Sequence, residues 1–220
     1  MLTADPASRL NEVREAIATA CRIARRETGD VNLIAVTKGR AAGDIEPLIA
    51  AGQRDFGESR VQEANAKWPE IRARHPDVRL HMIGRLQSNK ADEAVALFDS
   101  IHSLDRPSLL AALVKAADKA GRAPPVYVQV NIGGEEQKGG VALADLPAFL
   151  ATVRASPLPL AGLMCIPPAE QQPGPYFALL AELARRHDVS GLSMGMSADY
   201  KTAAMLGATA VRVGTALFED

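Results

Sequence analysis

The sequence predicts an α/β fold, a single (β/α)8 barrel of the TIM type with an extra N-terminal helix, and residues 1–220 are expected to form one domain. Two observations predict it: eight short apolar runs recur along the chain, and helical patterns separate them. No linker, repeat or low-complexity stretch interrupts the order. An open doubly wound sheet uses the same units, but no GxGxxG motif follows the first run, which favours the barrel.

The first elements follow from local patterns. Apolar residues fall at helical spacing between Leu10 and Ala24, and Gly29 is expected to end this opening helix. Residues 31–37 form a β-branched apolar run, which is typical of a strand buried on both faces of a parallel sheet. The seven later strand candidates are residues 54–56, 78–83, 100–103, 126–131, 158–164, 191–193 and 208–213.

Helix signals fill the later intervals. Asp105 is a candidate N-cap for a helix with Pro107 in its first turn and Gly121 at its end. Two more helices are predicted over 146–153 and 176–186. A short helix over 198–206, with Ser197 as its N-cap, follows the seventh strand.

Composition excludes several classes of protein. Hydrophobic residues make up 47% and charged residues 23%, as in soluble globular proteins, and the net charge is -1. No basic block is interleaved with aromatic residues and no apolar run is long enough for a bilayer, so neither nucleic acid nor membrane is an expected partner. The N-terminal residues lack a signal-peptide profile, and Cys21 and Cys165 lack metal-ligand spacing. These features predict a cytoplasmic protein without a metal site.

Lys38 directly follows the first predicted strand. In barrels, active groups collect at the C-terminal ends of the strands. A lysine held against an apolar barrel interior has its charged form disfavoured, so its amine becomes nucleophilic near neutral pH and can condense with an aldehyde. The alternative is that Lys38 reaches out of the barrel mouth as a solvated charge. Position alone leaves both interpretations open.

Three other lysines are weaker candidates for that chemistry. Lys90 lies in a polar helix start and Lys201 on a short helix. Lys138 lies in a charged, glycine-flanked loop after the fifth strand, which could fold over the barrel mouth. Each is interpreted as a solvated cation or one that steers phosphate.

The last two predicted strands indicate a phosphate site. In these barrels, phosphate is commonly held by the loops after strands seven and eight together with a helix N-terminus. Ser193 and Ser197 follow the seventh strand, and Gly214 and Thr215 end the eighth. Gly214 permits close approach of the backbone and Thr215 adds a hydroxyl donor. Either segment alone is ordinary turn chemistry, but together they favour a phosphate cup.

Arg212 lies near the end of the apolar eighth strand. A guanidinium there is costly unless an acceptor pairs with it. A ligand ring nitrogen, a phosphate or a protein carboxylate such as Glu58 could serve. His81 and His102 fall within strand candidates and are interpreted as packed barrel residues, not ligands.

Six blocks of sequence, in order between Leu33 and Phe218, closely resemble the pyridoxal phosphate homeostasis protein family, also called YggS-like. The blocks are LIAVTKGR, FGESRVQEA, IGRLQSNK, VQVNIGGEEQKGG, GLMCIPP and LSMGMSADYKTAAMLGATAVRVGTALF. The resemblance implies a stand-alone, monomeric barrel like the N-terminal domain of alanine racemase, with pyridoxal 5'-phosphate as cofactor. It implies a Schiff base on Lys38, and it implies that Arg212 faces the pyridine nitrogen. The residues that match the phosphate-holding segments are Ser193, Ser197, Gly214 and Thr215.

Three positions depart from the family pattern. Ser59 stands where the family usually has Asn, so that a contact to the ring edge is missing or replaced by water. Leu80 stands where many members have Trp, which affects packing. The sequence stops at Glu219 and Asp220, short of the usual tail, so the rim after strand eight is expected to be more open.

The resemblance leaves two functions open, and the chemistry of a lysine at a barrel strand end suggests a third. The first is a non-catalytic pyridoxal phosphate carrier in vitamin B6 and amino-acid homeostasis, with pyridoxal-phosphate-dependent apo-enzymes as recipients. The second is a weak amino-acid racemase or related enzyme using the cofactor. The third is a phosphate-sugar enzyme forming a lysine Schiff base with its substrate. An arginine at the ring nitrogen and the absence of a second, tyrosine-bearing domain favour the carrier.

Overall fold

Eight parallel strands close into a barrel in the computed structural model, which describes residues 5–135 and 139–218. Neighbours in sequence are neighbours in space, and β8 pairs with β1 to close the ring. The predicted barrel is therefore confirmed. The strands are β1 (Asn32–Val36), β2 (Asp55–Glu58), β3 (Arg79–Met82), β4 (Ser100–Leu104), β5 (Val126–Gln129), β6 (Leu160–Met164), β7 (Gly191–Ser193) and β8 (Ala210–Val213).

Helices cover the outside of the barrel. One helix precedes the first strand, as predicted, and packs against the helix that follows β7. Within the described residues the helices are α1 (Pro6–Ile23), α2 (Ala42–Ala50), α3 (Val61–Arg74), α4 (Ala91–Leu97), α5 (Pro107–Ala120), α6 (Leu146–Arg154), α7 (Gly174–Arg186), α8 (Tyr200–Met205) and α9 (Thr215–Phe218).

Several strands are buried on both of their faces. All four residues of β2 and of β8, and all five of β4, are buried. Such strands are read as continuous apolar runs, since the barrel interior and the helix layer both exclude water. This burial explains why the eight runs could be recognised in the sequence.

Three local predictions were wrong. Helix α1 ends at Ile23, before Gly29, because Arg25 adopts a left-handed conformation (φ 56°) and its amide and that of Arg26 donate to Arg22 and Cys21. Helix α5 has Arg106, not Asp105, at its N-cap. Helix α8 begins at Tyr200, later than the predicted start.

Two further observations bear on the class of protein. Among residues 5–135 and 139–218, no helix is long and apolar enough to cross a membrane. In the same residues no cluster of three or more His, Cys, Asp or Glu side chains is arranged to hold a metal ion. Cys21 and Cys165 are both buried free thiols.

Candidate functional site

A cavity of about 540 Å³ opens where the C-terminal ends of β1, β2, β3 and β8 meet. Its volume lies in the range of small-molecule sites. Five of the six residues predicted from the sequence line it: Lys38, Ser197, Arg212, Gly214 and Thr215. These residues come from the segments after β1 and β7 and from β8 and its end, so the fold brings together groups that are far apart in the chain.

The cavity is strongly cationic. Lys38, Arg40, Arg85 and Arg212 all line it, and the Arg40 guanidinium lies 4.8 Å from the centre of the Phe218 ring. Among its described lining residues there is no carboxylate, imidazole, phenol or thiol. Low-dielectric walls and charge of one sign attract an anion.

Lys38 is exposed to solvent at the rim of this cavity. Of the two interpretations that the sequence left open, the structure favours a solvated charge at the barrel mouth, and the residue lines the cavity. Thr37 is the last buried residue after β1, and the Lys38 side chain lies beyond it in contact with solvent. Its amine can reach into the cavity or out of it.

The turn that carries Lys38 is held from beneath by helix α3. Lys67 Nζ donates to the carbonyl oxygens of Thr37 (2.7 Å) and Arg40 (3.1 Å). The Gly39 amide donates to Glu63 Oε1 (2.5 Å). The exposed lysine therefore rises from a backbone that is fixed on both sides of it.

Glu58, at the end of β2, anchors the same turn. Its Oε1 accepts hydrogen bonds from Thr37 Oγ1 (2.6 Å) and Trp68 Nε1 (2.9 Å), and Lys67 Nζ lies 2.8 Å away. The carboxylate is fully buried. Glu58 thus pairs with Lys67 and not with Arg212, which corrects the sequence-based suggestion.

Arg212 is buried, with 4% of its surface exposed, and still lines the cavity. Its Nη1 donates to Ser193 Oγ (2.7 Å) and its Nη2 to the carbonyl oxygen of Cys165 (2.9 Å). Burial lowers the pKa of this guanidinium from its ordinary value, and it also raises the pKa of the Cys165 thiol to about 12. Arg212 is therefore a fixed group whose orientation is set by two neutral acceptors.

Ser193 does not line the cavity. Its hydroxyl is fully buried and is shared between Arg212 Nη1 and His102 Nδ1 (2.8 Å). The prediction that Ser193 contacts a phosphate directly therefore needs correcting. Strand parity turns the side chain at the end of β7 into the barrel, where it supports Arg212.

Ser197 lines the cavity, but it is not a helix N-cap. The N-cap of α8 is Asp199, whose Oδ1 accepts from the Met196 amide (2.6 Å). Ser197 Oγ instead accepts from the amides of Gly214 (3.2 Å) and Ala216 (3.3 Å). Two backbone N–H groups after β8 thus converge on one oxygen, as in the backbone nests that bind anions.

Two glycines allow the loops around the cavity to approach closely. Gly195 has a left-handed φ of 94°, and a Cβ there would lie 2.5 Å from Ala203 Cβ. A Cβ on Gly214 would lie 3.2 Å from Val36 Cβ. Glycine at these positions keeps the turns after β7 and β8 pressed against their neighbours.

The sequence did not reveal every residue that matters at the site. Lys67, Glu63 and Arg40 were missed, and only the i,i+4 spacing of Glu63 and Lys67 was a visible signal. Lys90 pairs with Glu93, and Lys201 lies near the Tyr200 ring. Lys138 lies outside the described residues. Ser59 lines the cavity, and Leu80 is fully buried.

The closed parallel barrel of eight strands is the fold of the alanine racemase N-terminal domain. A family model described as the alanine racemase N-terminal domain matches residues 13–220. An alanine racemase from Clostridium difficile shares the fold, with a TM-score of 0.69 and 12% identity over 93% of this chain and 58% of that one. At that identity the likeness concerns the fold alone.

Relatives with higher sequence identity than the racemases show which family the chain belongs to. The pyridoxal phosphate homeostasis protein of a Synechocystis strain is 40% identical over 86% of this chain and 91% of its own length. PipY of Synechococcus elongatus, in a structure with pyridoxal phosphate bound, is 40% identical with a TM-score of 0.80, covering 92% of this chain and 99% of that one. The chain belongs to the pyridoxal phosphate homeostasis protein family.

Proposed function

We propose that this chain binds pyridoxal 5'-phosphate as a Schiff base on Lys38 and acts in intracellular vitamin B6 and amino-acid homeostasis. The observation that carries the proposal is the cationic cavity in which Lys38, Ser197, Arg212, Gly214 and Thr215 meet. The relatives support it, since they are named for pyridoxal phosphate homeostasis and one of them, PipY, has been solved with the cofactor bound.

The residues present fit this cofactor. The amides of Gly214 and Ala216 converge on the Ser197 hydroxyl, which lines the cavity and keeps its own hydrogen to donate to a phosphate oxygen. The exposed hydroxyl residue Thr215 and the cations of the cavity add donors and positive charge. Lys38, which lines the same cavity after the end of β1, supplies the amine that condenses with the aldehyde and releases one water.

Arg212 is the second cation that defines the site. Two of its donors are used by Ser193 and Cys165, and the guanidinium has others to offer the cavity that it lines. Directed at the pyridine nitrogen, it keeps that nitrogen an unprotonated acceptor. The bound cofactor supplies an electron sink for amino-acid chemistry, and an unprotonated ring is a weaker one.

The lining residues favour a carrier over a racemase. Racemisation needs a proton donor and acceptor on each face of the substrate α-carbon. Among the described lining residues, Lys38 is the single side chain suited to proton transfer, and no carboxylate, imidazole, phenol or thiol accompanies it. The proposal therefore includes delivery of the cofactor to dependent apo-enzymes, by a cytoplasmic, monomeric, single-domain protein.

The preference between vitamers tests the phosphate cup. A phosphate held by amides, hydroxyls and cations should make pyridoxal phosphate bind at least a hundredfold more tightly than pyridoxal, since charge-assisted hydrogen bonds contribute roughly 1.5–3 kcal/mol each. Titration followed by absorbance measures both dissociation constants. Equal affinity for the two vitamers would contradict the proposal.

Proton exchange separates the carrier from the weak enzyme. Loaded wild-type protein should exchange the α-proton of added D- and L-amino acids in deuterated water no faster than free cofactor does. An R212E variant that still holds cofactor should exchange faster per bound cofactor, because its ring nitrogen is then stabilised in the protonated form. Rapid exchange or turnover by the wild type would support the racemase-like alternative instead.

A further inference from the structure

A chain of buried polar side chains crosses the barrel interior from the cavity to its opposite end. Beyond the Arg212–Ser193–His102 contacts, His102 Nε2 lies 2.9 Å from Ser100 Oγ, and Ser100 Oγ lies 2.7 Å from His81 Nδ1. His81 Nε2 lies 2.7 Å from Asp55 Oδ1. Asp55 opens β2 at the N-terminal end of the barrel, so the chain links strands β8, β7, β4, β3 and β2.

With both imidazoles uncharged and every contact a hydrogen bond, the two ends of this chain fix the direction of all the bonds between them. Arg212 can only donate, and the Asp55 carboxylate can only accept. Ser193 therefore accepts from Arg212 and donates to His102 Nδ1, and His102 Nε2–H donates to Ser100. Ser100 donates to His81 Nδ1, and His81 Nε2–H donates to Asp55. In this arrangement each histidine carries its proton on Nε2.

Burial makes a break in this chain expensive. All six members are buried, and the His102 ring stacks on Tyr127 with 4.1 Å between ring centres. If the chain ran in the reverse direction, Arg212 Nη1–H and His102 Nδ1–H would both donate to Ser193 Oγ, and the buried Ser193 hydroxyl hydrogen would lose the acceptor that His102 provides. A buried donor left without an acceptor is strongly disfavoured. The direction of the chain thus decides whether Ser193 Oγ accepts from Arg212 alone or is shared with a second donor, His102.

We propose that Asp55 is a distal positioning residue for Arg212, acting through His81, Ser100, His102 and Ser193 to hold the guanidinium in the orientation that the cofactor requires. The proposal rests on the proposed function for its consequence in cofactor binding, but not for the chain itself. Arg79 Nη2 donates to the other oxygen of Asp55 (2.6 Å). Without Asp55, His81 Nε2–H would lose its acceptor, and the buried chain would lose the group that sets its direction.

The tautomers of the histidines test the chain in protein without cofactor. The sequence contains four histidines, so two-bond 15N–1H NMR spectra can be assigned by single substitution. In the wild type, His81 and His102 should both be neutral with the proton on Nε2. In D55A, His102 should lose that tautomer, whereas D55N, whose amide oxygen can still accept, should retain it. A wild-type His102 protonated on Nδ1 would overturn the proposal.

Cofactor affinity tests the consequence. D55A and S100A, which break the chain at its end and its middle, should each weaken pyridoxal phosphate binding about tenfold, and D55N should restore most of it. D77A is the matched control, because Asp77 is an exposed carboxylate paired with Arg54 near the start of β3. Near-UV circular dichroism identifies variants that have lost the fold. If D55A is one of them, the affinity of S100A alone tests the positioning role.

The outcomes distinguish the two proposals. If the wild type binds no pyridoxal phosphate, the proposed function is wrong, and the NMR spectra still test the direction of the hydrogen-bonded chain. If the wild type binds it, but D55A and S100A leave both the His102 tautomer and the affinity unchanged, Asp55 does not position Arg212. A changed tautomer with unchanged affinity would equally overturn the positioning role.

Discussion

Lys38 and Arg212, two of the four cations that line the cavity, are held in opposite ways. Lys38 is exposed and rises from a turn clamped by the buried ion pair of Lys67 and Glu58. Arg212 is buried and held directly by the neutral acceptors Ser193 and Cys165. The backbone beneath Lys38 is fixed, whereas in Arg212 the guanidinium group itself is fixed.

The difference matches the roles that we propose for the two groups. A lysine that captures and releases an aldehyde needs a side chain free to swing, on a base that does not move. A guanidinium that keeps the pyridine nitrogen unprotonated needs a fixed orientation and no competing carboxylate. The two supports therefore predict different failures when each is broken.

Breaking the Lys67 clamp should have the largest effect on stability. K67A leaves the Glu58 carboxylate buried beside Thr37 and Trp68 without its cation, and loss of one partner of a buried pair costs about 3–5 kcal/mol. Urea unfolding measures the loss. K119A is the matched control, because the Lys119–Asp92 pair is largely exposed and should contribute less than about 1 kcal/mol. Equal losses in K67A and K119A would mean that the clamp is not structural.

The Arg212 support should make stability depend on pH. Burial holds the pKa of His102 well below its ordinary 6.5, and the nearby Arg212 cation lowers it further, so the unfolded chain takes up a proton there that the folded protein does not. The contribution is fully present above pH 6.5 and is lost as the pH falls, by about 1.4 kcal/mol per pH unit.

This dependence can be assigned to one residue. The free energy of unfolding of H102Q should fall less steeply between pH 6.5 and pH 5 than that of the wild type, whatever the absolute stability of the variant. Denaturant unfolding at several pH values provides the slopes. Identical slopes would show that His102 is protonated in the folded protein, contrary to the one-directional chain.

Loss of the Ser197 hydroxyl should have the smallest effect on stability. S197A leaves the amides of Gly214 and Ala216 without their shared acceptor, at a cost of about 1 kcal/mol. S156A is the control, since the Ser156 hydroxyl also accepts a backbone amide, that of Leu158, away from the cavity. Both should lose similar stability, but S197A alone should bind pyridoxal phosphate more weakly. An equal effect of both on affinity would remove Ser197 from the phosphate cup.

The sequence predicted the barrel and the position of the cavity because both depend on local pattern. Strands buried on two faces appear as apolar runs, and their C-terminal ends meet at one face of the barrel, so Lys38, Arg212 and Gly214 could be recognised by position. The six motif blocks added the family. Predictions that needed only the order of elements were therefore successful.

The supports could not be predicted because they depend on contacts between distant segments. Lys67 lies 30 positions from the Thr37 carbonyl oxygen that it holds, and Ser193 lies 91 positions from His102. Ser197 was predicted as a helix cap by its residue type, yet its hydroxyl turns to the strand end 17 positions later. Which of several local partners a hydroxyl takes is decided by tertiary packing.

Reduction with borohydride followed by peptide mapping tests the central claim most directly. The hydride converts the Schiff base into a stable secondary amine, so the attached lysine can be located by mass. The pyridoxyl group should be found on Lys38 in the wild type, be absent from K38A and K38R, and be retained in K201A, which removes an exposed lysine on α8. A label on Lys90 or Lys138 in the wild type, or full labelling of K38A, would contradict the account.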